Sequence, residues 1–144
     1  MKAKVITIMD NERSVNAAKR CIASGLNFDL KIEIHKAITP EDKPVNIAED
    51  LNIPITHFKN EFSKFDRCLA AFLSHRSLWQ ESYDTRTPML IFEHDAVITD
   101  YLPTVYKGLV VNVGKPSYGK WKTPNFLGEG PLTSKKYFPG AHAY

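Results

Sequence analysis

Hydrophobic and polar positions along the first part of the chain predict a strand, a helix and a second strand. Val5–Met9 is a short, β-branched apolar run, which is typical of a buried strand. After a polar loop, Ser14 is the predicted N-cap of a helix whose apolar residues recur at helical spacing until Ser24-Gly25, the predicted C-cap. Leu30–His35 then alternates apolar and polar residues, which predicts a half-exposed strand beside the first one.

A short helix and a longer one follow in the pattern. Pro44 is a favourable first residue for a short helix over Val45–Leu51, with Asn52 closing it. Ser63 is the predicted N-cap of the longer helix, and Asp66 in its first turn suits the positive end of the helix dipole.

The longer helix carries an apolar stripe that includes a histidine. The spacing of the stripe, i, i+4, i+7 and i+11, places its members on one helix face, and Trp79 is predicted to lie in the core. A histidine on such a face is more often a satisfied core residue than a ligand, and the pattern leaves both interpretations of His75 open. The stripe consists of Cys68, Phe72, His75 and Trp79, widened by Leu69, Ala71 and Leu78.

A predicted buried strand over Met89–Phe92 leads into the polar triplet Glu93-His94-Asp95. Open α/β sheets bind ligands outside the carboxyl ends of their strands, so acids placed there are candidates for a site. In an extended backbone Glu93 and Asp95 lie on one side and His94 on the other. Mg²⁺ and Mn²⁺ prefer oxygen ligands and often take only one or two carboxylates, with phosphates and water completing the shell. An acid-x-acid triplet also occurs in ordinary loops, so the pattern alone leaves both interpretations open.

The loop after the first strand belongs to the same predicted edge of the sheet. Asp10, Asn11 and Arg13 follow the carboxyl end of Val5–Met9, within reach of a nucleotide bound there. An ordinary loop with a helix cap explains the same residues equally well.

The last part of the chain differs in charge and composition. Gly108–Gly114 predicts another buried strand after a turn over Asp100–Lys107, and Lys115–Tyr144 is rich in glycine, proline, lysine and aromatic residues. Residues 1–100 carry 13 Lys and Arg against 15 Asp and Glu, a net charge of −2, whereas residues 101–144 carry 6 against 1, a net charge of +5, which together give +3. A basic, aromatic tail suits a nucleoside diphosphate, but a nucleic-acid surface or a solvated segment that caps the sheet has the same composition.

Length and composition favour a single domain over residues 1–144. The chain has 144 residues, of which 43% are hydrophobic, and no repeat or linker divides it. No apolar run approaches the roughly 20 residues that span a bilayer, and no signal-peptide core follows Lys2-Ala3-Lys4. Cys21 and Cys68 fall on predicted apolar helix faces, which indicates free core thiols in a reducing compartment. We therefore expect a soluble, unsecreted, cytoplasmic protein.

The central block resembles a known enzyme family. Cys68–His75, then Leu78-Trp79, then Leu90–Ala96 are similar in order and spacing to the pattern of glycosyltransferase family 25, which includes lipooligosaccharide and collagen galactosyltransferases. The similarity extends to the loop after the first strand, to His35–Ile38 and to Pro139–Tyr144.

This resemblance implies a GT-A-like fold, a Rossmann-type α/β sandwich with a single central, mostly parallel sheet and helices on both faces. It implies an enzyme that transfers a galactose-like hexose from a UDP-sugar to a hydroxyl acceptor such as a surface glycan, with inversion and with the help of Mn²⁺ or Mg²⁺. In that chemistry Asp95 and Glu93 hold the metal and the ribose-diphosphate end of the donor, and Ser74 and His75 line the same pocket.

Two departures from the family pattern bear on activity. His94 stands where the family triplet has a middle Asp, which weakens the inference of metal use. The chain stops at Tyr144, where the resemblance implies a further strand, helix and acceptor-side region, so we expect the acceptor pocket and general base to be missing or supplied by another subunit. One alternative function is a non-catalytic or truncated family member that keeps the fold, with or without donor binding, but lacks turnover. A second alternative, which no recognised motif supports, is a nucleic-acid-binding module. No spacing favours Asp100 or Glu129 as the base, and the oligomeric state, a homo-oligomer included, is open.

Overall fold

The computed structural model describes residues 1–56 and 64–102 of the 144-residue chain. Strands and helices alternate within these two ranges. No helix there is long and apolar enough to cross a membrane. The elements are β1 (Lys2–Thr7), α1 (Glu12–Leu26), β2 (Glu33–Lys36), a 3₁₀ turn (Pro40–Asp42), α2 (Pro44–Asp50), α3 (Phe65–Thr85) and β3 (Met89–Glu93).

The strands form one parallel sheet in the order β2-β1-β3. The register pairs Ile6 of the central strand with His35 of β2 and with Glu93 of β3. Parallel neighbours need a crossover connection, which α1 provides between β1 and β2 and which α2 and α3 provide between β2 and β3. All three strands therefore end at one edge of the sheet, at Thr7, Lys36 and Glu93, and we call this the carboxyl edge.

Helices cover both faces of the sheet, so the predicted α/β class is confirmed for the described residues. Successive strand residues point to opposite faces, which divides the core into separate clusters. The cluster beneath α1 contains Ala3, Val5, Ala18, Cys21, Ile32, Leu90 and Phe92. The cluster beneath α3 contains Ile6, Ala37, Leu78 and Ile91. A further cluster between α2 and α3 contains Ala48, Ile55, Leu69 and Leu73.

Two strand boundaries differ from the prediction, and two other elements match it. β1 ends at Thr7, so Met9 lies in the following turn and is 43% exposed rather than buried. β2 begins only at Glu33, because the residues before it are still bonded to the end of α1. The predicted helix after Pro44 and the predicted strand that begins at Met89 are confirmed.

The ends of α1 correct both predicted caps. Asn11, not Ser14, is the N-cap, because its Oδ1 accepts the Ser14 N–H at 3.1 Å. Gly25 lies inside the last helical turn instead of ending the helix. A residue without a side chain is needed at this position because the chain after α1 passes close to it. A Cβ at Gly25 would lie 2.7 Å from Ile32 Cδ1 and 2.9 Å from the Leu30 carbonyl oxygen.

The buried face of α3 shares Leu69 and Leu78 with the predicted stripe but otherwise lies beside it. The helix begins at Phe65 with Lys64 in the N-cap position, and the predicted cap, Ser63, lies outside the described residues. Trp79 is 45% exposed, so its assignment to the core is wrong. The helix packs on α2 through its first half and on the sheet through its second half. Because of these two contacts, a row of α3 residues next to Cys68, Phe72, His75 and Trp79 is buried. The buried residues of α3 are Leu69, Ala70, Leu73, Ser74 and Leu78.

Candidate functional site

The acidic triplet forms a turn at the carboxyl edge. β3 ends at Glu93, and the Ala96 N–H donates to the Glu93 carbonyl oxygen at 3.0 Å, so His94 and Asp95 lie within a tight turn. The prediction that Glu93 and Asp95 share one side of an extended backbone is therefore wrong. The chain leaves the sheet directly after Glu93, and the period of two ends with the strand.

The turn directs the two carboxylates towards different helices. Glu93 Oε1 lies 3.8 Å from Nε2 of His75 on α3. Asp95 lies close enough to α1 for its charge to act on Cys21, where burial and then Asp95 raise the pKa of the thiol to about 11. Glu93 and Asp95 thus flank the end of β3.

His75 is a partly buried, neutral neighbour of Glu93. Burial and then the charge of His35 hold the pKa of His75 below 6.5. The 3.8 Å contact with Glu93 therefore joins a carboxylate to a neutral imidazole and is not a salt bridge at pH 7. A neutral imidazole keeps one ring nitrogen as an acceptor, so His75 is able to accept a hydrogen bond or to bind a metal ion.

Trp79 borders the Glu93–His75 pair. Its ring centroid lies 6.4 Å from that of His75 and 6.1 Å from that of Phe72, the latter in edge-to-face geometry. A partly exposed aromatic ring beside a ligand site is suited to stacking on a base. The helical spacing of these residues was recognised in the sequence, but the exposure of Trp79 follows from which row of α3 meets the sheet.

Ser74 lies beneath the carboxyl edge and holds the backbone there. It is 1% exposed, and its Oγ accepts the Ile38 N–H at 2.8 Å while donating to the Ala70 carbonyl at 2.9 Å. The resemblance implies a pocket-lining role for Ser74. In the structure its hydroxyl forms a hydrogen bond with the backbone of Ile38, on the segment that follows β2.

His35 belongs to the same region and was missed as a site residue. Its Nε2 lies 3.0 Å from Ser77 Oγ, and that hydroxyl donates its only proton to the Ser74 carbonyl at 2.8 Å. When Ser77 donates to the Ser74 carbonyl, its oxygen accepts from the His35 tautomer that is protonated at Nε2. Burial and then the charge of Lys4 hold the pKa of His35 below 6.5, with Glu81 opposing. The alternation of β2 signalled that His35 and Ile34 face opposite ways, but not which helix would cover His35.

Asp10 and Arg13 are exposed where the chain passes from β1 into α1. Asn11 between them caps the helix, so the cap interpretation accounts for that residue. Asp10 and Arg13 stand beside the carboxyl edge, and their contact with a nucleotide stays a prediction.

The described residues fit a divalent cation that is shared with a phosphorylated ligand. Within residues 1–56 and 64–102, no group of three or more His, Cys, Asp or Glu side chains is placed to hold a metal ion. Glu93 and Asp95 offer the carboxylate oxygens that Mg²⁺ and Mn²⁺ prefer, and two carboxylates suffice when phosphate oxygens and water complete the shell. By donor type these carboxylates suit a metal that is bound together with a diphosphate, but they are directed towards different helices.

Several predicted features lie outside the described residues. They are the strand at Gly108–Gly114, most of the turn over Asp100–Lys107, the basic and aromatic tail over Lys115–Tyr144, and Glu129. Asp100 itself is described and exposed, and its Oδ1 accepts the Tyr101 N–H at 2.8 Å.

The fold and this edge define a class of protein: an open parallel α/β sheet with polar groups gathered at the carboxyl ends of its strands, where such sheets bind ligands. A protein-family model, glycosyltransferase family 25 (LPS biosynthesis protein), matches residues 5–125. Because the match spans most of the chain, the chain belongs to this family of glycosyltransferases, and the resemblance of the central block is confirmed. A search of curated proteins gave no match.

Proposed function

We propose that the carboxyl edge binds the diphosphate end of a UDP-sugar and that the protein transfers a galactose-like hexose from it to a glycan hydroxyl, with inversion. A GT-A-like, Rossmann-type arrangement is part of this proposal. Family membership supports it. The observation that carries it is the end of β3, where Glu93 lies 3.8 Å from neutral His75 and Asp95 follows in the next turn.

The proposed reaction is a single displacement at the anomeric carbon of the sugar. The acceptor hydroxyl oxygen forms a bond to that carbon while the bond to the diphosphate oxygen breaks, and UDP leaves with the electron pair. The hydroxyl proton passes to a base. Negative charge grows on the leaving diphosphate, so positive charge placed there lowers the barrier. A bound Mn²⁺ or Mg²⁺ supplies that charge.

The chain's own residues have distinct parts in this proposal. Glu93 and Asp95 would hold the cation through their carboxylate oxygens. His75 beside Glu93 adds no opposing charge, because its pKa lies below 6.5 and the imidazole is neutral at pH 7. Asp10 and Arg13 border the nucleotide from the loop after β1.

Calorimetric titration of UDP, with and without Mn²⁺, tests the proposal. Wild-type protein is expected to bind UDP more tightly with Mn²⁺. Asp95→Asn and Glu93→Gln remove one ligand charge each and are expected to weaken metal-dependent binding by at least about tenfold, since even the outer-shell partners of a metal are worth about 10–100-fold in affinity.

Asp84→Asn is the matched control. Asp84 is an exposed carboxylate near the far end of α3, where its Oδ1 accepts a hydrogen bond from Gln80 Nε2 at 2.9 Å. This variant should bind UDP as the wild type does. Equal UDP affinity with and without metal, unchanged in Asp95→Asn and Glu93→Gln, would place the donor site elsewhere.

A second candidate is a family member that binds the donor without turnover. It is favoured by His94 in the middle of the triplet and by the divergence of the two flanking carboxylates. A multiple-turnover assay with a UDP-hexose and a glycan acceptor separates the two functions, because sustained release of UDP that depends on the acceptor occurs only in an active transferase.

The cysteines suggest the compartment. Cys21 and Cys68 are both free, Cys21 buried and Cys68 half-buried. Free thiols are the usual state in a reducing compartment, so we include the cytoplasm in the proposal.

A further inference from the structure

A serine on a helix holds each of the three backbone segments that leave the strands. In every case the serine Oγ accepts the N–H of an isoleucine that follows the strand within five residues. We call Ser14, Ser24 and Ser74 the exit serines. The pairs are Ile8 with Ser14 at 2.9 Å, Ile38 with Ser74 at 2.8 Å, and Ile98 with Ser24 at 2.9 Å.

Two of the exit serines have their hydroxyl orientation set by their own helix. Ser74 donates to the Ala70 carbonyl at 2.9 Å, and Ser24 donates to the Cys21 carbonyl at 2.8 Å. This back-bonding directs a lone pair of each oxygen away from the helix and towards the neighbouring segment. The remaining exit serine, Ser14, is 3% exposed and also lies within the packed interior.

The position of these bonds along the helices explains why side chains make them. A helix end presents unpaired carbonyls to the chain that follows it, whereas the side of a helix has its backbone groups already paired. Ile8 meets the first turn of α1 and Ile38 meets the middle of α3, where a side-chain oxygen is the available acceptor. Ser24 lies in the last turn of α1, where its hydroxyl accepts the Ile98 N–H while the neighbouring Gly25 carbonyl accepts from the segment that enters β2.

The geometry points to the exit serines as positioning residues that preform the nucleotide edge. This inference rests on the proposed function. Each bond fixes backbone close to a predicted ligand contact, so the contacts are in place before the ligand arrives. The nearby contacts are Asp10, two residues after Ile8; His75, next to Ser74; and Asp95, three residues before Ile98.

Preformed segments raise the affinity for a ligand, because the ligand binds only those molecules in which the segments already have the binding-competent arrangement. The loss of one hydrogen bond of ordinary net strength changes such an equilibrium by about three- to tenfold. Ser→Ala also places a better helix former on each helix, so a loss of affinity would not reflect a weaker helix.

Ser82 provides the matched control. It lies on α3 as Ser74 does, and its Oγ donates to the Thr87 carbonyl at 2.8 Å. That carbonyl belongs to the segment that enters β3, at the opposite edge of the sheet. Ser82→Ala therefore removes a comparable serine-to-loop hydrogen bond without touching an exit segment.

The test compares Ser14→Ala, Ser24→Ala, Ser74→Ala and Ser82→Ala in the full chain. Amide hydrogen exchange of the three isoleucines is measured by NMR without ligand, and UDP affinity is measured with Mn²⁺. Each exit variant is expected to speed exchange of its own isoleucine by about three- to tenfold and to raise the Kd for UDP by a smaller factor, because Kd rises only as the fraction of molecules with the segment in place falls. Ser82→Ala should leave both quantities at their wild-type values.

The two measurements separate this inference from the proposed function. If wild-type protein binds no UDP with or without Mn²⁺, the proposed function fails, and the role of the exit serines in that function fails with it. If the isoleucine amides of the exit variants exchange no faster than those of Ser82→Ala, the exit serines do not stabilise the exit segments, and the inference fails. If exchange rises but UDP affinity is unchanged, the serines are structural only.

Conservative variants keep the test decisive where an alanine variant does not fold. Ser74→Cys preserves size but replaces the hydroxyl with a weak acceptor, so it should behave as Ser74→Ala does. Ser24 is half-buried, and Ser24→Thr retains the hydroxyl; it should restore the exchange rate of Ile98 and the wild-type affinity for UDP.

Discussion

The segments that enter the strands and the segments that leave them are held by different chemical groups. Before β2, the N–H groups of Phe28 and Leu30 both donate to the carbonyl of Gly25 at 3.0 Å. Before β3, the Thr87 N–H donates to the Ser82 carbonyl at 3.2 Å. The N–H groups of the entering segments are thus accepted by backbone carbonyls of the helix ends, with the Ser82 hydroxyl adding a bond to the Thr87 carbonyl, whereas each exit serine accepts an N–H of a leaving segment.

The charged groups divide in the same way. At the entering edge Glu81 pairs with Lys2 at 3.0 Å and with Lys4 at 3.6 Å. At the carboxyl edge Glu93 Oε1 lies 3.8 Å from the neutral imidazole of His75. The entering edge thus carries ion pairs that stabilise the fold, whereas the carboxyl edge carries the carboxylates of the proposed donor site. Changes at the entering edge should therefore affect stability alone, and changes at the carboxyl edge should also affect binding.

The largest expected effect comes from Leu78→Ala. Leu78 is fully buried beneath the carboxyl edge, against Ile6 and Ala37. Removing it should lower the free energy of unfolding by about 2–5 kcal/mol and also weaken UDP binding, because it supports the strand ends. Leu90→Ala is the control, since Leu90 is also buried but lies beside Ala3 near the start of β3, at the entering edge. Chemical denaturation and calorimetry measure both effects; equal weakening of UDP binding in both variants would contradict the division between the two edges.

Gly25→Ala tests the entering edge. The new methyl group would meet Ile32 Cδ1 at 2.7 Å and the Leu30 carbonyl at 2.9 Å, and the backbone oxygen cannot move aside cheaply. We expect a loss of about 1–3 kcal/mol in unfolding free energy, with UDP affinity unchanged. Adding Ile32→Val removes only the first clash, so denaturation should show partial recovery. Complete recovery would mean that the close approach to Leu30 is unimportant.

His35 makes stability depend on pH at the carboxyl end of β2. Its pKa in the folded protein is lowered from 6.5, so the native state favours the neutral form. This contribution to stability is complete above pH 6.5 and is lost as the pH falls through the folded-state pKa. Thermal unfolding between about pH 7.5 and about pH 5 should show a larger fall in Tm for the wild type than for His35→Gln, which retains a donor for Ser77. Identical pH profiles would rule out this role.

The smallest expected effect comes from Glu81→Gln. The variant weakens the pairs with Lys2 and Lys4 at the entering edge, where the Glu81 side chain is 30% exposed. Exposed pairs of this kind contribute about 0–1 kcal/mol, so the loss should be small and should shrink further in high salt. Denaturation at two salt concentrations measures it. A change in UDP affinity would show that the two edges are coupled.

Local patterns predicted much of the fold. The β-branched run at Val5, the alternation around His35 and the helix after Pro44 identified elements that the structure contains, because burial of one face imposes a period of two on a strand and near 3.6 on a helix. Helix ends were less predictable. Asn11 and Ser14 are both good cap residues, and only the path of the chain after β1 decides which of them caps the helix and which faces Ile8.

The candidate site was predicted in composition but not in geometry. The sequence by itself determined that acids follow a buried strand and that a histidine lies on the apolar side of a long helix, because these depend on the order of residues within single elements. Only the tertiary structure decided that the chain turns at Glu93, that His75 meets Glu93, that Trp79 is exposed, and that helix serines hold the exit segments. These features depend on which row of α3 packs on the sheet and on contacts between residues far apart in the chain, and no local period encodes either.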